Sequence, residues 1–261
     1  MKGRTEMIAV ALLVILLSPL VAALDIDDGG SAPYLLGDAK VIAIFVSTPD
    51  HQMSQLDVSE GTARLNRALD WLEEQCPHHL AFTANFFNAE GEELSYVSQE
   101  KISQELFGKG LSALARDELK CYDSCAFLFI TGERGRSYAV PYDPALCYDS
   151  RMGTDSFWGE RAVIYMRTRM GTLKDPATYA HELLHLFGAR DKYDGLWKSQ
   201  KLYPVKELEE LWFEGGSGED IMSSVSSLTF IDEITRGEIG WQDSNGNGVP
   251  DPLDPQLTKI F

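Results

Sequence analysis

His181-Glu182-Leu183-Leu184-His185 sets two imidazoles four positions apart, with a carboxylate directly after the first. Four residues are close to one helical turn, so on a helix both rings face the same ion. Glu182 is offset by one position and reaches beside that ion, where its carboxylate can take a proton from water. The chemistry expected of such a set is zinc-assisted hydrolysis, the metal bringing the pKa of its water to about 7. The same five-residue pattern also arises on helices that hold no metal, so the rest of the constellation has to carry weight.

Two imidazoles leave a zinc ion short of a third protein ligand. No histidine follows His185, and His51, His78 and His79 lie far upstream, so the third ligand is expected to be a carboxylate. Asp191 is the leading candidate. Gly188 can take the left-handed backbone that stops a helix and folds the chain back, returning a residue three positions later toward the metal. A turn carboxylate with no ligand role is the plain alternative for Asp191, and the glutamates at 207, 209 and 210 are a second carboxylate source.

The motif needs a helix to hold it, and residues 176–187 have the signals of one. Asp175 can cap its start, Pro176 suits its first turn and Gly188 marks its end. Upstream, apolar β-branched runs at 41–46, 81–87 and 125–131 read as strands. Helical spacing is found at 59–75 and 99–119. The resulting β-α-β-α-β order predicts an α/β fold, a sheet covered by helices. Further strands are expected at 137–142 and 161–166, the second as the exposed edge along which a peptide would lie. Downstream of Gly188 the chain reads as loop-rich, with short helical pieces at 205–213 and 231–239.

With these residues in place the chain resembles the metzincin metallopeptidases. Within them it is similar to the branch with aspartate as third ligand, such as snapalysin, and to the immune-inhibitor-A type. The carriers are the spacing H-E-x-x-H-x-x-G-x-x-D and the run Asp191-Lys192-Tyr193-Asp194. Asp220-Ile221-Met222-Ser223 follows where that resemblance implies a methionine turn beneath the zinc. It implies a twisted mixed sheet with covering helices, an active-site helix, a loop-rich C-terminal part, and peptide-bond hydrolysis. His181, His185 and Asp191 would be the zinc ligands, Glu182 the general base, and residues 223–225 would help shape the side-chain pocket. Two departures stand out. Ser224 occupies the position where many metzincins have tyrosine, so oxyanion stabilisation falls to zinc or another donor such as Tyr193. Ala189-Arg190 replaces the Leu-Pro common in the immune-inhibitor type. A gluzincin-like site would instead recruit Glu207, Glu209 or Glu210.

A second ion is expected near the C-terminus. Asp243, Asn245, Asn247, the Val249 carbonyl, Asp251 and Asp254 fall at positions one, three, five, seven, nine and twelve of a loop with Gly248 at position six. That is the ligand rhythm of a calcium loop, and it resembles the loops of dockerins and thrombospondin-type repeats. An ordinary Asn/Gly turn is the alternative.

Lys2 and Arg4, the apolar run 8–17 and Val21-Ala22-Ala23 read as a signal peptide over 1–23, too short for a membrane-spanning helix of roughly 20 apolar residues. An uncleaved anchor is the alternative. Residues 24–38 read as a leader, 39–241 as one metallopeptidase domain and 242–261 as a tail. Export makes disulfides the expected state of Cys76, Cys121, Cys125 and Cys147, with three pairings open. A formal net charge of -17 argues against nucleic acid or an anionic membrane surface as partner. The functional expectation is a secreted, monomeric zinc endopeptidase acting on polypeptide. An exported, non-catalytic binding domain stabilised by zinc is the rival.

Overall fold

The computed structural model describes residues 34–90, 122–140, 161–192 and 220–257. The expected signal peptide, the helices at 99–119 and 205–213, Cys121, Cys147, Tyr193, Asp194 and Glu207 to Glu210 lie outside them. Five strands and three α-helices are described: β1 (Gly37–Ser47), α1 (Gln55–Gln75), β2 (Leu80–Glu90), β3 (Ser124–Arg134), β4 (Tyr138–Val140), β5 (Arg161–Arg167), α2 (Pro176–Leu186) and α3 (Glu233–Glu238). The fold is mixed α/β. Its sheet has the order β2-β1-β3-β5-β4, with β4 antiparallel to β5 and the other pairs parallel.

The apolar runs are continuous because both sheet faces are covered. Val41, Ala43 and Phe45 of β1 join Leu128 and Ile130 of β3, Leu65 and Leu72 of α1, and Leu183 and Leu184 of α2 in one core cluster. The alternate residues Ile42, Ile44 and Val46 join Phe127, Phe129 and Val163 in a second cluster. Each such side chain contributes about 2 kcal/mol by leaving water. α1 lies close on the sheet at Gly61, where a Cβ would come within 2.6 Å of the Phe45 ring.

α1 begins at Gln55, four residues before the expected start. Ser54 and Asp57 form a reciprocal capping box there, so the true start signal is Ser54-x-x-Asp57. The expected edge role of residues 161–166 does not hold. β4 closes one side of β5 at Arg161 to Val163, the Ser137 hydroxyl accepts the Tyr165 N–H at 3.1 Å, and Lys174 N–H donates to Met166 at 2.8 Å. Among the described residues the edge of the sheet on this side is β4. Strand order is set by long-range pairing, which local patterning does not encode.

Trp241 is buried, and its indole N–H donates to the Leu35 carbonyl, while Leu35 N–H donates to Ile239 at 3.0 Å. The segment before β1 is thereby tied to the segment after α3. Cys76 and Cys125 are not bonded to each other. Burial pushes the Cys76 thiol up to about 11. Among the described residues no helix is long and apolar enough to cross a membrane.

Candidate metal centre

α2 is held at both ends as its sequence suggested. Asp175 accepts the Ala177 N–H at 2.9 Å, Pro176 follows it, and Gly188 stands at φ 97°. Ala177, Tyr179, Ala180, Leu183 and Leu184 are buried in the core, which fixes the rotation of the helix. His181 and Glu182 are buried as well, and His185 is partly open.

The left-handed step at Gly188 reverses the chain. Ala189 N–H then donates to Leu184 at 3.1 Å, and the Ala189 carbonyl lies 2.8 Å from His185 Nδ1. On the other ring, His181 Nδ1 lies 3.0 Å from the Ile221 carbonyl. Carbonyl oxygens only accept, so each Nδ1 is the donor, which turns both Nε2 atoms toward one another and toward Asp191.

Those two Nε2 atoms are 3.1 Å apart, and Asp191 Oδ1 lies 3.2 Å from one and 3.3 Å from the other. Three electron-pair donors at these separations repel unless a cation sits among them. A tetrahedral zinc with bonds of about 2.0–2.1 Å separates its ligand atoms by about 3.3–3.4 Å. The triangle is therefore the right size for zinc. Asp191 Oδ1 is buried, and its close polar neighbours are the two imidazole nitrogens, an environment that suits a ligand atom. The alternative reading of the 3.1 Å contact, a hydrogen bond between histidines, requires one ring to be an imidazolium. Burial works against a proton on His185, but the Asp191 carboxylate and the Ala189 carbonyl outweigh it and raise that pKa. Burial also opposes charge on Asp191, yet the two imidazoles hold its carboxyl far below the usual range. A proton and a metal thus compete for one seat.

No protein-family model matches the chain, and no curated protein matches it in sequence. Function has to be read from the geometry.

Glu182 offers an oxygen within 4.8 Å of the imidazole nitrogens. Asp191 Oδ1, at 3.2 and 3.3 Å from the two Nε2 atoms, completes the triangle of candidate ligand atoms, and the Glu182 carboxylate lies beside it. Burial raises the Glu182 pKa, with His181 and His185 pulling the other way. A cavity of about 930 Å³ opens over these groups, lined also by Tyr138 and Ala139 of β4, Lys174, and Ser223 to Ser226.

Beneath the centre, Asp220 accepts the Met222 N–H at 2.7 Å and its carbonyl accepts Ser223 N–H at 2.8 Å. This is the tight turn expected at 220–223. Met222 is fully buried in the core. Ser224 faces the cavity and bonds Ser226 at 2.9 Å.

Lys192 was not singled out from sequence. Its ammonium is buried, donating to Thr235 Oγ1 and, at 3.1 Å, to Glu238, while the Thr235 hydroxyl donates to Asp220 at 3.2 Å. Burial raises the Asp220 pKa and Lys192 opposes it. Lys174 was also missed. Its only local signal is its place before the Asp175-Pro176 helix start.

In the C-terminal loop the expected side chains are engaged by hydrogen-bond donors of the loop itself. Asp243 accepts Asn247 N–H at 3.1 Å and Gly248 N–H at 2.7 Å, and Asp254 accepts the Asn245 and Asn247 amides at 2.6 and 2.9 Å. Asp251 turns to Ser244 instead.

Proposed function

We propose that the chain is a secreted zinc-dependent endopeptidase that hydrolyses peptide bonds in polypeptides, with His181, His185 and Asp191 as zinc ligands and Glu182 as general base. The observation that carries this reading is the triangle of 3.1 to 3.3 Å formed by two imidazole nitrogens and a carboxylate oxygen beside a buried carboxylate. Zinc, when bound, supplies Lewis acidity toward a water and toward a carbonyl oxygen. The protein supplies the rest. The Ile221 and Ala189 carbonyls orient the two imidazoles, and buried Glu182, its pKa raised, accepts a proton from water and delivers it to the leaving amine.

The substrate lies extended beside β4, whose outer edge borders the cavity and can pair with a peptide backbone. Tyr193 is our candidate for an oxyanion donor, since Ser224 has no phenol to offer. The metzincin resemblance of the motif, the turn at Met222 and the mixed sheet agree with this assignment. A monomer, a cleaved signal peptide, disulfides that form on export, and a calcium ion ordering the loop from Asp243 to Asp254 complete the proposal.

The rival, a non-catalytic domain with structural zinc, has no use for a buried carboxylate beside an open metal position. The deciding assay is cleavage of an unfolded polypeptide by the purified protein with and without chelator, alongside Glu182→Gln. Loss of cleavage in both, with zinc content kept in Glu182→Gln, is the expected result. Full-rate cleavage by Glu182→Gln with zinc bound sinks the mechanism. Zinc analysis of Asp191→Ala tests the third ligand, and undiminished occupancy would move that role elsewhere.

A further inference from the structure

We propose that the cavity selects peptides with a carboxylate side chain close to the bond to be cleaved, and that Lys174, with Arg136 near it and Arg64 elsewhere in the cavity lining, is the recognising group. The proposal rests on the peptidase reading and names its substrate class.

The chain has 40 acidic residues against 23 Lys and Arg, yet this cavity reverses the balance. Outside the metal centre its charged lining is Arg64, Arg136 and Lys174 against the single carboxylate of Asp175. Asp175 is already engaged as the cap of α2. A basic wall inside a strongly acidic protein is not a by-product of composition. Complementary charge is how a cleft chooses among ligands.

Lys174 is the best fixed of the three. Its backbone N–H is bonded to Met166 on β5, and its half-buried ammonium donates to Ser137 Oγ at 2.8 Å. Ser137 Oγ is itself held by the Tyr165 N–H at 3.1 Å. Among the described residues no carboxylate oxygen lies within ion-pair distance of Lys174 or Arg136. Burial lowers the Lys174 pKa, Glu182 opposes this, and Arg136 adds to it. Two cations close enough to disfavour one another gain most from an anion between them. Arg64 contributes a buried Nε with no hydrogen-bond partner, and its terminal nitrogen reaches Glu60 only at 3.5 Å.

The test uses the full chain carrying Glu182→Gln and loaded with zinc, so that bound peptide is not consumed. Two fluorescein-labelled peptides, identical except for three central Glu or three central Gln residues, are titrated by anisotropy at low salt. We expect the Glu peptide to bind at least about tenfold tighter, a range usual for one well-placed charge contact. Lys174→Met should bring the two affinities together, and Lys174→Arg should keep them apart. Equal affinities in the starting protein overturn the proposal, as does a preference that survives Lys174→Met. Cleavage of both peptides by the protein with Glu182 intact is scored separately. Binding preference without zinc-dependent cleavage leaves carboxylate selection standing and removes the peptidase reading. Lys174→Met slowing both cleavages equally would assign the ammonium to the scissile carbonyl and overturn selection.

Discussion

Lys192 follows Asp191 directly, and its backbone N–H donates to the Met222 carbonyl at 2.9 Å. One peptide link therefore joins the third candidate ligand to the turn whose Ile221 carbonyl orients His181. The Lys192 side chain strengthens the same connection from beneath, through Thr235 and Glu238, to α3 and Asp220. The two halves of the centre, one on α2 and one after it, are held in a single frame by this buried polar network.

Lys192→Met removes the cation that sits among the buried Asp220 carboxylate and the partly buried Glu238 carboxylate. Breaking a buried pair from one side costs about 3–5 kcal/mol, and a loss of that size is expected in denaturant unfolding of the zinc-free protein. Zinc affinity should fall as well, because the segment carrying Asp191 loses its anchor. An unchanged unfolding midpoint together with unchanged zinc affinity would show that the network neither stabilises the fold nor sets the ligand.

Gly188→Ala tests the chain reversal. The residue stands at φ 97°, a backbone that side chains rarely adopt, and an added Cβ would lie 3.2 Å from the Glu238 carbonyl. A cost of about 1–3 kcal/mol is expected from the strained backbone. The Ala189 carbonyl would shift away from His185 Nδ1, so weaker zinc binding should accompany the lost stability. Competition with a chromophoric chelator measures it. Wild-type zinc affinity in a destabilised Gly188→Ala would separate the turn from the metal.

How much of this was legible in the sequence depended on range. The candidate metal-binding pattern is local: one helical turn sets the histidine spacing, one glycine sets the reversal, and both signals are contiguous between Asp175 and Asp191. The strands were readable because both faces of β1 and β3 are buried, so their residues are apolar without interruption. The start of α1 is encoded in Ser54 and Asp57, whereas the leucine spacing by itself marks the helix only from residue 59. The edge strand was not legible, since the place of β4 beside β5 is a matter of long-range pairing. Lys174 and Lys192 look like any surface lysine until the fold brings Ser137, Thr235 and Glu238 to them.

Asp57 links the start of α1 to β5 and carries a pH signature. Burial opposes its charge, but the Ser54 hydroxyl and N–H and the Arg167 guanidinium at 2.8 Å outweigh it and lower its pKa to about 2, from 3.8. A depressed folded-state pKa stabilises above the unfolded value and is lost as pH falls through the folded one. The shift corresponds to about 2 kcal/mol at neutral pH. Asp57→Asn should therefore be less stable by about that amount at pH 7, the gap closing between about pH 4 and pH 2. Urea unfolding at several pH values measures it, and a gap that is the same at pH 7 and pH 3 would exclude the ionic contribution.

The C-terminal loop offers an independent test of the second ion. Asp243 and Asp254 already face the Asn245 and Asn247 amides, and Asp254 is almost fully buried. Asp251 is occupied by the Ser244 N–H and hydroxyl at 2.7 and 2.6 Å, which makes it the weakest of the six expected ligands. Calcium binding to the folded chain alone stabilises by mass action, about 2.7 kcal/mol at one hundred times Kd. The melting temperature should rise with calcium concentration and level off in zinc-loaded protein. Asp254→Ala should abolish that rise, whereas Asp251→Ala should weaken it less. A melting temperature indifferent to calcium, or a rise that Asp254→Ala leaves intact, would return the segment to an ordinary turn closed by its own amides.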